Sequence, residues 1–414
     1  MTLNRRSFLR GGVTAGSLVA LGAVPGFVQR TALAAPTSET AGAKDTILVV
    51  IELTGGNDGL NTVVPFKDAN YAKLRPTLKL PADQLGKLND DLGLHPQLRP
   101  LNDLLDKDQA LCVVQGVGYP NPDQSHFRSM DIWQAGSLAQ NLTEGWLGRT
   151  LKHLPGTPSF HLKTDNEGSP LAYEGAPVRV PSIKTLEEFQ LQLAAASGAD
   201  KAAQRDVIEG ATRTAGGEPG LLDFVQRTAA NTYASSRRLQ EVARNYQPKA
   251  TYPDGNPLAS RLRLAAQLID AGLGSRIFYV SIGNFDTHSA QAPAHANLLG
   301  QLGAAISAFY KDLAARGHKD RLLVMTFSEF GRRAKENGSR GTDHGSGAPV
   351  FLVGGRVKAG VVGAHPSLTR LEDGNLVHHT DFRQVYAAIL DQWLGVSSKD
   401  VLGSEFKPVP VFTG

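Results

Sequence analysis

The chain has 414 residues, with 43 basic and 39 acidic side chains and a single cysteine. Four of the bases, Arg5, Arg6, Arg10 and Arg30, fall in the first 34 positions, which hold no acid, so the remainder is electrically balanced. That balance argues against nucleic acid or an anionic membrane as partner, and the lone Cys112 excludes an internal disulfide.

Residues 1–34 read as a twin-arginine export signal: Asn4-Arg5-Arg6-Ser7-Phe8-Leu9-Arg10, a mildly apolar Gly-rich stretch, then Ala32-Leu33-Ala34 as a small-x-small cleavage pattern. The expected destination is the periplasm or another extracytoplasmic compartment. No later apolar run approaches the ~20 residues of a membrane span, so no transmembrane segment is expected once the signal is removed. Residues 35–46 are small and polar and form an expected flexible leader, and 47–414 are read as a single α/β domain.

Ile47 to Ile51 is an apolar run suited to a strand buried on both faces, and Gly55-Gly56-Asn57-Asp58-Gly59 breaks it. Similar runs at Leu111 to Val114, Ile277 to Val280, Leu322 to Thr326 and Val350 to Val353 predict further strands. Helical periodicity at Leu221 to Tyr246, Leu258 to Ala271, His295 to Ala315 and Asp381 to Leu394 fills the intervals, and residues 195–220 read as a surface connection. Strands alternating with helices predict an α/β fold with a mainly parallel sheet sandwiched by helices.

Short polar clusters follow several of these runs. Asp286-Thr287-His288 places two ligand types around one residue, so an extended segment points both to the same face. Ser328-Glu329-Phe330-Gly331-Arg332 offers Glu329 as ligand, general base or ion-pair partner, and Arg332 as an oxyanion binder through its planar fork. In Asp343-His344-Gly345, His344 is the candidate ligand and Asp343 orients a ligand or caps a turn. Oxygen and imidazole donors suit a divalent metal such as Zn, Mn or Ca. Asp58 is either a further ligand or an Asx-turn residue, and its glycines lack the spacing of a nucleotide fingerprint. Ser125 stands at the expected start of a short helix, Ser129 to Gly136, a position that suits an N-cap and a nucleophile alike. His126 and Arg128 are further candidates for a polar cleft, and the other histidines read as structural or exposed.

The motifs Gly55-Gly56-Asn57-Asp58-Gly59-Leu60-Asn61, Ser125-His126-Phe127, Gly145-Trp146-Leu147, Phe285-Asp286-Thr287-His288, Ser328 to Arg332, Gly341 to Gly345 and Thr380-Asp381-Phe382-Arg383 resemble, in order, an exported bacterial family known as domain of unknown function 1501. That family resembles the alkaline phosphatase and sulfatase superfamily, which implies an alkaline phosphatase-like fold and one or two divalent metals beside a nucleophile. On the resemblance Asp58, Asp286, His288, Glu329 and His344 hold metal, Ser125 is the nucleophile, and Arg332 or Arg128 binds the oxyanion. Two departures point to one metal: only Thr287 separates Asp286 from His288 where the superfamily has three residues, and Phe330 stands where a histidine is expected. The expected function is an exported metal-dependent hydrolase of phosphate or sulfate esters, acting on a small-molecule ester or surface polymer. The alternative is a non-catalytic exported protein that binds a glycan or partner protein through a degenerate metal site.

Overall fold

A computed structural model describes residues 45–165, 167–185 and 245–413. The expected export signal, the leader to residue 44, the 195–220 connection and all but the end of the expected Leu221–Tyr246 helix lie outside the described residues. The strands of the main sheet are β1 (Ile47–Leu53), β2 (Leu111–Gly118), β3 (Ser159–Leu162), β4 (Ser182–Ile183), β5 (Ile277–Ile282), β6 (Leu322–Ser328), β7 (Ala348–Gly354), β8 (Gly360–Val362) and β9 (Thr380–Asp381). Each of the five apolar runs read from the sequence lies in one of these strands. The sheet order is β8-β2-β7-β6-β1-β5-β3-β4, with β9 pairing the end of β2. Only β7 runs antiparallel to its neighbours, so the sheet is mainly parallel.

Alternation along β1 divides the core into two layers. Ile47, Val49 and Ile51 pack with α1 (Arg99–Asp106), α4 (Pro257–Asp270) and α5 (Gln291–Ala314). Leu48 and Val50 pack with α2 (His126–Ala135), α3 (Trp146–His153) and α6 (Phe382–Ala388) on the other face. A strand with a helical layer on each side has no polar face, which is why β1 reads as a continuous apolar run. Helix ends follow local chemistry: Asn256 caps α4 by accepting from Leu258 N and Ala259 N, and Asp381 forms a capping box with Gln384 at α6. The helix expected to run to Leu394 changes to a π turn over Ile389–Leu394 and stops at Gly395.

Two local expectations change. The first turn of α2 starts at His126, with Ser125 as N-cap, so the helix begins three residues before the expected Ser129. Residues 285–288 form a tight turn, with Thr287 N donating to Phe285 O at 2.8 Å, instead of an extended segment. The carboxyl ends of β1, β2, β5 and β6 meet the amino end of antiparallel β7 at one sheet edge. Loops from all five strands therefore converge there.

Glu52, near the carboxyl end of β1, is buried and accepts from Gln134 Nε2 at 2.7 Å and from the Tyr279 hydroxyl. Burial, opposed by those bonds, pushes its carboxyl up to about 7. Because the folded value lies above the unfolded one, Glu52 binds more protons in the native state, and stability falls as pH rises from about 4.5 through 7. The expected loss is on the order of 3 kcal/mol in urea unfolding between pH 4.5 and 8, and Glu52→Gln should flatten that dependence.

Candidate metal centre

At this edge three imidazoles share one arrangement. His126 at the start of α2 has its Nδ1 2.8 Å from Glu329 Oε1, His288 has its Nδ1 3.2 Å from Asp343 Oδ1, and His344 has its Nδ1 2.8 Å from Gln124 O. An oxygen at each Nδ1 can accept a hydrogen bond from a proton there, and in that tautomer each Nε2 presents a lone pair. Those Nε2 atoms turn toward Asp286: His126 Nε2 is 3.5 Å from Oδ2, and His288 and His344 Nε2 are 3.0 and 3.3 Å from Oδ1. His288 Nε2 and His344 Nε2 are 3.0 Å apart.

Two imidazole lone pairs and a carboxylate facing one another repel unless a proton or a metal ion lies among them. The donor set fits a metal ion. His126, Asp286 and His344 offer ligand atoms within 4.8 Å of one another. The separations around Asp286 match the roughly 3.4 Å between ligands of a tetrahedral ion at zinc-like bond lengths. Each histidine also carries the oxygen partner on its far nitrogen that metal-binding histidines characteristically have.

Protonation separates two of the histidines: His126 is pushed toward its cationic form, whose Nε2 proton a metal would have to displace, and His344 toward the neutral one. The hydrogen bond and charge of Glu329 raise His126 above the ordinary imidazole range, whereas burial lowers His344 and keeps it neutral. Asp286 is partly buried, which opposes ionisation, but the Arg332 hydrogen bond and charge hold its carboxyl below the usual value. Asp343 is likewise lowered, first by its bond from Asn337.

The remaining sequence candidates fall in different places. Glu329 is buried, accepts from Gly55 N at 2.8 Å and from Ser328 Oγ at 3.0 Å, and reaches the cluster only through His126. Asp58 has no exposed side chain and is held by Arg75 at 2.5 and 2.9 Å and by Gln291 at 2.5 Å, so the structure does not bring it to the histidines. Arg332 is fully buried and donates to the carbonyls of Gly55, Gly56, Phe285 and Thr342 and to Asp286 Oδ1, which leaves its guanidinium closed to solvent. Arg128 spends its guanidinium on the Ala139 and Gln140 carbonyls. Ser125 is exposed, its side chain makes no capping bond, and it lies between Gln124, which holds His344, and His126.

His126 is the donor that sequence reasoning placed only in a polar cleft. Its partner Glu329 lies 203 positions away, and the available signal was its place directly after the N-cap at a helix start. The buried Asp58–Arg75 pair predicts a stability effect. Asp58→Asn leaves Arg75 unpaired in the core and should cost about 3–5 kcal/mol in urea unfolding. Arg75 and the hydrogen bonds overcome burial and hold Asp58 at about 2, so its contribution is complete above pH 4 and disappears as pH falls through about 2.

Among solved structures, the chain is similar to the C-terminal periplasmic domain of EcEptC from Escherichia coli in complex with Zn, at 9% identity and TM-score 0.38, over 76% of this chain and 74% of that one. It is also similar to an alkaline phosphatase from the Antarctic bacterium TAB5, at 11% identity and TM-score 0.31, over 75% and 92%. A protein in the alkaline phosphatase superfamily from Vibrio parahaemolyticus matches at 9% identity and TM-score 0.30, over 80% and 68%. Overlaps that partial carry no argument about the chemistry of this site. A comparison with curated proteins gave no match. The family described as "Protein of unknown function (DUF1501)" matches residues 45–392, and the chain belongs to it.

Proposed function

We propose that this chain is an exported, metal-dependent hydrolase of phosphate or sulfate esters. The observation that carries the reading is the set of three histidines, each anchored by an oxygen at Nδ1, whose Nε2 atoms converge on Asp286. In this reading His126, Asp286, His288 and His344 hold the ion. Three nitrogen donors and one oxygen favour zinc over calcium or magnesium.

A divalent ion bound there supplies a Lewis acid toward the ester and lowers the pKa of a neighbouring hydroxyl. Ser125 Oγ gives its proton to solvent and forms the new bond to phosphorus or sulfur as the bond to the ester alcohol breaks, and the departing alkoxide takes a proton from water. A second water then cleaves the serine ester and returns a proton to Oγ. The amino end of α2, with first-turn amides that lack helical acceptors, favours the negative charge that gathers beside Ser125. Glu329 and Asp343 orient His126 and His288, and Arg332 positions Asp286 and the loops around it. Asp58, Glu329 and Arg332 thus leave the ligand and oxyanion roles expected from sequence for supporting ones. Export by the twin-arginine route accompanies this reading, supported by the Asn4 to Arg10 motif. No described helix is long and apolar enough to cross a membrane.

Phe330 favours a second reading, a non-catalytic exported protein with a structural ion. Its ring lies 4.9 Å from that of His126 and 4.7 Å from that of His344 and walls that side of the cluster with carbon.

Elemental analysis and turnover of aryl phosphates and sulfates separate the two. Wild-type protein should carry a divalent ion, and His344→Ala should lose it while keeping its far-ultraviolet circular dichroism. Glu329→Gln, which places an amide where His126 has an acceptor, should weaken metal affinity by about 10–100-fold. Ser125→Ala should keep the metal and lose turnover. Unchanged turnover removes Ser125 as nucleophile, and bound metal without any turnover in wild type moves the assignment to the second reading.

A further inference from the structure

A cavity of about 360 Å³, lined by none of the clustered histidines, is bounded by the loop after β5 and the first turns of α4 and α5. That volume lies within the range of small-molecule sites. Its floor is apolar, formed by the buried Leu258 and Leu298, and its walls carry Thr164, Asn284, Asn297 and Gln301. Asn297 and Gln301 stand four residues apart on α5 and so share one face. Among the described residues, none of these four side chains makes a hydrogen bond to another protein group, although Thr164 and Gln301 use their backbones.

The cavity also holds a charged residue whose charge is already met. Arg261 is 8% exposed at its side chain, donates through Nε to Pro257 O at 3.2 Å, and has Nη1 3.7 Å from Glu167 Oε2. Glu167 is fixed in turn by Thr164 N at 2.5 Å and by Ser281 Oγ. The Arg261 Nη1 atom is enclosed and lacks a hydrogen-bond acceptor, whereas Nη2 is not enclosed and can donate to a ligand hydroxyl. Glu167 offsets the Arg261 charge, and the rest of the wall is uncharged. It offers three amides and a hydroxyl, and each of these side chains both donates and accepts.

We propose that this cavity binds a neutral sugar residue. A polyol presents hydroxyls that donate and accept around its rim and carbon on its faces, which matches a ring of amides over a leucine floor. A purely apolar ligand leaves four polar side chains unpaired. Asn284 is two residues before Asp286, with its backbone in the left-handed region at φ 73°, so one loop supplies both a wall of the cavity and the central carboxylate of the proposed metal site. The proposal deepens the hydrolase reading by making the ester one attached to a glycan, but binding in the cavity needs neither the metal nor turnover.

The test is saturation-transfer NMR on metal-free and metal-loaded mature protein with glucose, galactose, mannose and N-acetylglucosamine, and with tetraglycine as an amide-rich control. At least one sugar should give signal in both forms. Asn284→Gly with Asn297→Ala, which keeps a residue suited to left-handed backbone at 284, should weaken that binding about ten-fold. Gln301→Ala, on the rigid α5, should weaken it independently, and His344→Ala should leave it unchanged. No sugar signal in wild type, equal signal in both cavity variants, or a response to tetraglycine alone would overturn the proposal. Sugar binding without hydrolysis would instead refute the hydrolase reading and leave the cavity assignment standing.

Discussion

Arg332 has no exposed side chain, yet its hydrogen bonds join the loops after β1 and β5 to the single loop between β6 and β7 through Gly55, Gly56, Phe285, Asp286 and Thr342. A guanidinium is suited to this because it presents five fixed donors and stays charged when buried. The loops approach one another so closely that their residue types are constrained. A Cβ at Gly55 would lie 2.4 Å from Asp286 N, one at Gly56 would lie 2.3 Å from the Phe330 ring, and both backbones have positive φ. With the loops held in this way, Asp286 is fixed beneath the imidazoles, and the positions of His288 and His344 follow from the same clamp.

Three carboxylates at this sheet edge behave differently because their partners differ. Asp58 is sealed in the core by Arg75, a pairing that stabilises an ion burial would otherwise neutralise. Glu52 has hydrogen-bond donors but no cation and is pushed toward neutrality. Asp286 remains 44% exposed at its side chain, is kept ionised by Arg332, and turns one oxygen toward His126 and the other toward His288 and His344. Of the three, it is the one available to an ion from solvent.

Much of this was legible in the sequence because its causes are local. The apolar runs became strands buried on both faces, since alternating residues meet a helical layer on each side. That Asp286, His288 and His344 come together was legible because each follows or precedes such a run at the same edge. His126 was obscured by helix context, where an N-terminal polar residue is ordinarily solvated. The true setting of Asp58 depended on Arg75, seventeen residues on, folding back beneath it, and no periodicity encodes that. Arg332 looked like an anion binder because a cation beside a carboxylate has that appearance in one dimension. In three dimensions its hydrogen bonds run to backbone carbonyls from distant loops.

The account rests on His126, His288 and His344 holding their protons at Nδ1 and presenting Nε2 to a common ion. Side-chain nitrogen NMR of histidine-labelled protein, metal-free at pH 8 and then titrated with Zn, reads those positions directly. The account predicts three rings in the Nδ1–H tautomer whose Nε2 resonances all move together on one equivalent of metal. Rings protonated at Nε2, or Nε2 resonances indifferent to metal, would contradict it.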